Sequence, residues 1–124
     1  MLPECAGQRR ARVTPRVSVV IPVYNEGDNI VTCLDRLVEA ITMPCEILVV
    51  YDSHDDTTRP YAEKYARDDP RVVPTLNTLG RGPAYAIRFG IEQATADVVV
   101  VTMADGSDDP TQVDELTRLV EPGM

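Results

Sequence analysis

The chain has 124 residues, 44% apolar and 26% charged, with 12 Lys and Arg against 20 Asp and Glu for a formal net charge of −8. That is the composition of one globular domain rather than of a disordered chain. The acidic balance, with Lys64 as the only lysine, leaves no basic footprint for nucleic acid or anionic lipid. No run approaches the ~18 apolar residues of a membrane span. The leader Met1 to Arg16 carries Arg9, Arg10, Arg12 and Arg16 without the apolar core of a secretory signal. It is expected to be a flexible tail ahead of a domain over 17–124. Cys5, Cys33 and Cys45 form no C-x-x-C pair and no zinc-spaced cluster, which suits reduced thiols in the cytoplasm.

From Val17 onward, β-branched runs alternate with helical patterns, the signature of an α/β fold. Val17 to Val23 is predicted to be a buried strand stopped at Pro22 and followed by the turn residues Asn25, Glu26, Gly27 and Asp28. Ile30, Leu34, Leu37, Val38 and Ile41 then make one helical stripe, with Asp28 or Asn29 at its start and Pro44 closing the unit. Ile47 to Tyr51 is the second strand. The polar cluster Asp52 to Thr58 leads from it into a short helix carrying Tyr61 and Tyr65, with Pro60 in its first turn.

Val72-Val73 marks a short third strand, and Gly80-Arg81-Gly82 precedes a helix that opens at Pro83 and turns Ile87, Ile91 and Ala94 inward. Val98 to Met103 is the fourth strand. Asp109-Pro110-Thr111-Gln112 has the form of a helix opening with Asp as cap, leading to an apolar face of Val113, Leu116, Leu119 and Val120. Strands joined by right-handed helical crossovers build a doubly wound, mainly parallel sheet. Such sheets bind ligands beyond the carboxyl ends of their strands. The loops to inspect are therefore those around Tyr24-Asn25-Glu26, Tyr51 to His54 and Ala104 to Asp108.

Carboxylates gathered at one rim repel one another unless a hard cation, a basic partner or hydrogen-bond donors compensate, and a magnesium or manganese site suits them best. Asp105 follows a buried strand and is either a metal ligand or a turn former in an Asp-Gly step. Asp108 and Asp109 are either further rim acids or a helix dipole partner and a cap. A carboxylate at Asp52 can accept the ring N–H of uracil or guanine, or close an Asx turn with Ser53. Glu26 can accept both hydroxyls of a ribose, or be an exposed charge, while Tyr24 offers a face for stacking. Gly80-Arg81-Gly82-Pro83 can face a diphosphate with backbone amides and Arg81, or simply lead into a helix. It is not a dinucleotide fingerprint, because Tyr85 stands where a third small residue belongs. His54 has no Ser or Cys at a recognised elbow and reads as a solvated loop residue before a general base.

Four blocks in order carry a resemblance. Ser18 to Glu26 resembles the opening strand and loop of family 2 glycosyltransferases of the GT-A fold, and Val49 to Thr58 resembles their second-strand block, usually written V-D-D-G-S-T-D-G-T. Gly80 to Ala84 is similar to their G-K-G-x-A step, and Val100 to Pro110 to their fourth strand with a D-x-D motif, in the style of polyprenyl-phosphate (dolichyl-phosphate) mannosyltransferases. The resemblance implies strand order 3-2-1-4 and a nucleotide-diphosphate-sugar site with GDP-mannose or a UDP-sugar as donor. It implies Pro22, Val23, Tyr24, Glu26 and Asp52 around the nucleoside, Arg81 near the diphosphate and Asp105 on Mg2+ or Mn2+. Transfer to an acceptor, a polyprenyl phosphate by the same resemblance, would invert the anomeric carbon.

The chain departs from the family pattern at Met103, where the first Asp of D-x-D is usual, so metal binding rests on Asp105 with help from Ser107 or Asp108. It departs again at Tyr51, which leaves Asp52 alone at the base. Family catalytic domains run on for roughly another hundred residues. The 124-residue chain is therefore expected to be the donor-binding half, truncated at its C-terminus, with the general base and any membrane contact beyond Met124. That half should show weak transfer or none, and its fourth-strand edge should associate. Two rivals are a non-catalytic nucleotide-sugar-binding remnant and a receiver-like signalling domain. The latter needs a lysine beyond a late strand, whereas Lys64 falls in the second helix.

Overall fold

The computed structural model describes residues 14–105 and 109–121. The elements in chain order are β1 (Val17–Pro22), α1 (Asn29–Ala40), β2 (Cys45–Tyr51), α2 (Arg59–Asp68), β3 (Val72–Leu76), α3 (Pro83–Gln93), β4 (Val98–Val101) and α4 (Gln112–Val120). The strands form one parallel sheet in the order β3-β2-β1-β4, as the family resemblance implies. Val19 stands level with Ile47 on one side and Val100 on the other.

Alternation along the central strands sorts the core into two layers. Val17, Val19 and Ile21 of β1 and Ile47, Val49 and Tyr51 of β2 pack with Ile30, Leu34 and Leu37 of α1, Ala62 of α2 and Val113 of α4. Val20, Leu48 and Val50 face the other way, onto Ala86 and Phe89 of α3. Because β1 lies between β2 and β4, every one of its residues is buried. This explains why all of it but Ser18 is apolar, since a strand covered on both faces has no solvent side to make polar.

Three sequence-based expectations shift. The inner face of α3 is Ala86 and Gly90, while Ile91 is 48% exposed. The cause is close approach, for a Cβ on Gly90 would stand 2.5 Å from Val20 Cγ1, so only small residues fit where the helix crosses the sheet. On α4 the buried face is Val113, Asp114 and Thr117, leaving Leu116, Leu119 and Val120 exposed. Asp114 points inward because its carboxylate accepts the Thr42 N–H, at 3.0 Å to Oδ2, and the Thr42 hydroxyl. That ties α4 to the chain entering β2. Finally, α4 begins at Gln112 with Thr111 as its cap residue. Asp109 instead accepts the Thr111 N–H and hydroxyl at 3.0 and 2.7 Å, one turn ahead of the helix.

The lower end of the sheet is pinned by polar contacts. Arg16 grips Glu121 through Nε and Nη2 at 2.8 and 2.7 Å. Ser18 Oγ donates to Glu46 at 2.6 Å, and Glu46 also accepts the Thr95 N–H at 2.6 Å. Among the described residues no helix is long and apolar enough to cross a membrane. Cys33 and Cys45 are buried, and Cys5 lies outside the described residues.

Candidate functional site

In a parallel sheet all strands end on the same rim, so the loops after β1, β2, β3 and β4 converge there. The first loop leaves β1 at Pro22. The Val23 N–H donates to Val50 O at 2.9 Å, Tyr24 stands 77% exposed, and Asn25 turns the chain with φ of +50°, a left-handed conformation that Asn tolerates.

This loop is fastened to the one after β2. Both carboxylate oxygens of buried Asp56 lie 3.1 Å from the Asn25 N–H, and Oδ1 also accepts the Thr58 N–H at 2.8 Å. The Glu26 N–H donates to Thr58 Oγ1 at 2.8 Å and the Gly27 N–H to Thr57 Oγ1 at 3.1 Å. The return bond runs from the Thr57 N–H to Asn25 Oδ1 at 3.0 Å. Backbone amides of the loop ahead of α1 are thus satisfied by the neighbouring loop.

Asp52 makes the second junction. Its Oδ1 accepts from Asn77 Nδ2 and its Oδ2 from the Gly82 N–H, both at 2.8 Å. The loop after β3, which carries Arg81, therefore hangs from a carboxylate at the end of β2. The turn at 53–55 is made by Ser53 Oγ, which accepts the Asp55 N–H at 3.1 Å. Asp52 and Asp56 are both compensated by hydrogen-bond donors of the protein itself.

Tyr51, where the family pattern has an acid, turns its ring into the core beside α2. Burial raises its phenol above the ordinary value, Glu63 adding to the rise and Arg59 opposing it. Asp109 is held below the usual carboxylate range by the hydroxyl and then the backbone N–H of Thr111. His54 is exposed on the loop after β2, where its carbonyl accepts from Arg59 Nη1 at 3.2 Å.

Of the residues singled out in the sequence, Pro22 and Val23 are buried at the end of β1, Glu26 is half-buried, and Arg81 and Asp105 are exposed. Asp52 and the loop bearing Arg81 are brought together directly. Ser107 and Asp108 lie outside the described residues. Among the described residues no three His, Cys, Asp or Glu side chains are grouped to hold a metal, and Asp105 lies four residues beyond the end of β4. One carboxylate is a sufficient protein share for a magnesium-type ion that takes its other ligands from phosphate and water.

Four residues escaped the sequence reading: Asp56, Thr57, Thr58 and Asn77. The first three read as a generic polar turn, and their spacing to Asn25 is set only by tertiary structure. Asn77 gave one signal, a lone amide at the end of a β-rich run, three residues ahead of Gly80.

Residues 18–123 match the profile of Glycosyl transferase family 2. The chain is 34% identical over 106 residues to the uncharacterized glycosyltransferase YibD of Escherichia coli (strain K12), covering 86% of this chain and 30% of that protein. It is 33% identical over 119 residues to the undecaprenyl-phosphate 4-deoxy-4-formamido-L-arabinose transferase of Serratia proteamaculans (strain 568), covering 91% of this chain and 36% of that one. The chain thus spans about a third of the length of these relatives.

Among solved structures it is similar to the mannosyltransferase PcManGT of Pyrobaculum calidifontis in complex with GDP-Man and Mn2+. That likeness has a TM-score of 0.68 and 31% identity, over 87% of this chain and 33% of that one. The glucosyl-3-phosphoglycerate synthase of Mycobacterium tuberculosis, in complex with Mn2+, UDP and glucosyl-3-phosphoglycerate, shares the fold at a TM-score of 0.64 and 22% identity, over 99% of this chain and 46% of that one. With the sheet order, the four ordered blocks and the family profile in agreement, the chain belongs to glycosyl transferase family 2.

Proposed function

We propose that this chain is the donor-binding part of an inverting glycosyltransferase. It takes a sugar from a nucleotide diphosphate, GDP-mannose or a UDP-sugar, and a polyprenyl phosphate is the acceptor. The observation that carries this reading is the interlocked rim, where Asp52 ties the loop bearing Arg81 to the end of β2 while Asp56 ties the loop bearing Tyr24 and Glu26 to the same segment. The mannosyltransferase with bound GDP-Man and Mn2+ supports the donor and the cation, and the undecaprenyl-phosphate transferase supports the lipid acceptor.

In this reading Tyr24 stacks on the base, Pro22 and Val23 shape the pocket floor, Asp52 accepts the ring N–H of the base and Glu26 accepts the ribose hydroxyls. Arg81 meets the diphosphate, since an exposed guanidinium on a glycine loop can pair with phosphate oxygens. Asp105, with Ser107 and Asp108 in its loop, would hold Mg2+ or Mn2+, which when bound neutralises charge growing on the departing diphosphate. The acceptor oxygen of a lipid phosphate is already anionic and approaches the anomeric carbon from the opposite face. The full-length protein would meet that lipid at the cytoplasmic face of a membrane.

Isothermal titration with GDP and UDP, with and without Mn2+, tests the reading. Binding of one of them that strengthens with Mn2+ is expected, and Asp105→Asn should remove the Mn2+ dependence while leaving the circular dichroism spectrum unchanged. Equal affinity in wild type and variant would sink the role given to Asp105. Met103, a thioether where the family pattern has a carboxylate, favours a second reading as a binding remnant. Nucleotide binding together with failure of a longer chain, one that continues beyond Met124, to transfer sugar would select it.

A further inference from the structure

Asn77 lies just past β3, is 5% exposed, and uses every polar atom of its side chain. Nδ2 donates to Asp52 Oδ1 at 2.8 Å and to Gly80 O at 2.6 Å, and Oδ1 accepts the Leu79 N–H at 2.9 Å. Its own backbone N–H donates to Tyr51 O at 2.8 Å, which fixes its main chain against the residue preceding Asp52. The second oxygen of Asp52 is held by the Gly82 N–H, presented by a backbone at φ of +104° that L side chains rarely adopt.

A carboxylate has about four lone-pair directions. One donor on each oxygen fixes its plane and leaves the remaining directions aimed in advance. Asp52 without these donors would be a free rotor whose acceptor geometry had to be ordered on each binding event, at an entropic cost. The same amide closes the turn at 77–80 that delivers Gly82.

We propose that Asn77 is a positioning residue for base recognition: by holding Asp52 Oδ1 and Gly80 O together it aims the carboxylate that accepts the ring N–H of the nucleotide base. This rests on the reading of Asp52 given above, and the test separates the two.

The probe is the ratio of affinities of the intact 124-residue chain for a nucleoside diphosphate and for its ring-methylated analogue, UDP against 3-methyl-UDP and GDP against 1-methyl-GDP. Methylation removes the N–H that Asp52 would accept. Wild type should prefer the parent nucleotide by about tenfold or more, the equivalent of one charge-assisted hydrogen bond. Asn77→Ala should bring the ratio close to one while affinity for the methylated analogue changes little, a pattern that general loosening of the fold does not produce. Asn77→Ser, which keeps one short donor, should fall between and serves if the alanine variant does not fold.

A ratio unchanged in folded Asn77→Ala but abolished in Asp52→Ala, which has no side-chain acceptor, would overturn the proposal and leave the base reading standing. A ratio unchanged in Asp52→Ala, or no binding of either nucleotide by wild type, would overturn both. Unfolding of both Asn77 variants would assign the residue to the fold alone.

Discussion

The Asp56 carboxylate sits astride the backbone N–H of Asn25, 3.1 Å from each oxygen, and joins two loops 31 residues apart. Neither residue is in a helix or strand. The contact exists because parallel β1 and β2 end level with one another, Pro22 opposite Val50, so the chain leaving one is within reach of the chain leaving the other.

Replacing Asp56 by Ala strips acceptors from the Asn25 and Thr58 amides at a site that is 6% exposed. A buried donor left without a partner costs about 1–3 kcal/mol. Asp56→Ala is expected to lower stability by about 2 kcal/mol or more in urea unfolding, and Asp56→Asn, which keeps one acceptor, by less. A loss under about 0.5 kcal/mol for Ala would mean that water replaces the carboxylate.

Gly90→Ala sets two effects against each other. A helix interior gains about 1 kcal/mol from Ala over Gly. Against that, the new methyl would meet Val20 Cγ1 at 2.5 Å and Val50 Cγ2 at 3.3 Å, on strands at the centre of the sheet. Overpacking typically costs about 1–3 kcal/mol, and Val20, 0% exposed, has nowhere to retreat. Net destabilisation is expected by thermal or urea unfolding, with recovery in the double variant that adds Val20→Ala. Stabilisation by Gly90→Ala alone would show that α3 shifts freely on the sheet.

Acid should weaken the fold through Asp114 and Asp69. Burial pushes the Asp114 carboxyl up, but the hydroxyl and backbone hydrogen bonds from Thr42, with Arg118 nearby, outweigh it and leave it below its ordinary 3.8. Asp69 is lowered chiefly by the Arg71 side chain. A folded-state value below the unfolded one contributes stability that is complete above the unfolded pKa and lost as pH falls through the folded one. The urea midpoint should therefore be level from neutral pH to about 5 and fall below about 4, with a shallower acid limb in Asp114→Asn. A midpoint unchanged in strong acid would contradict both assignments.

Among the described residues β4 is paired on one side only, with β1, and Val101 is 39% exposed at its end. Leu116, Leu119 and Val120 of the following helix are exposed as well. An uncovered strand edge beside apolar surface favours association. Sedimentation of the 124-residue chain should show a concentration-dependent increase in mass, reduced by Val101→Lys. A strictly monomeric chain at high concentration would refute this.

The sequence by itself determined the element order, the parallel sheet and the burial of β1. Each follows from local pattern: β-branched runs too short for helices, stripes at helical spacing, and turn residues between them. Motif order also carried the family, since four blocks in sequence survive translation into a sheet of order 3-2-1-4.

Only the tertiary structure decided what the acidic residues do. Asp52 read as a base acceptor or an Asx turn and Asp56 as part of a generic polar turn, yet each is answered by amides from loops far along the chain, and no spacing rule predicts a partner 25 to 31 residues away. The same holds for helix faces. Ile91 and Leu116 sit at apolar positions of their helices, but the distance at which α3 meets Val20, and the Thr42 amide that draws Asp114 inward, fix which side of each helix is buried. Periodicity identifies a stripe, and packing chooses whether that stripe faces the core.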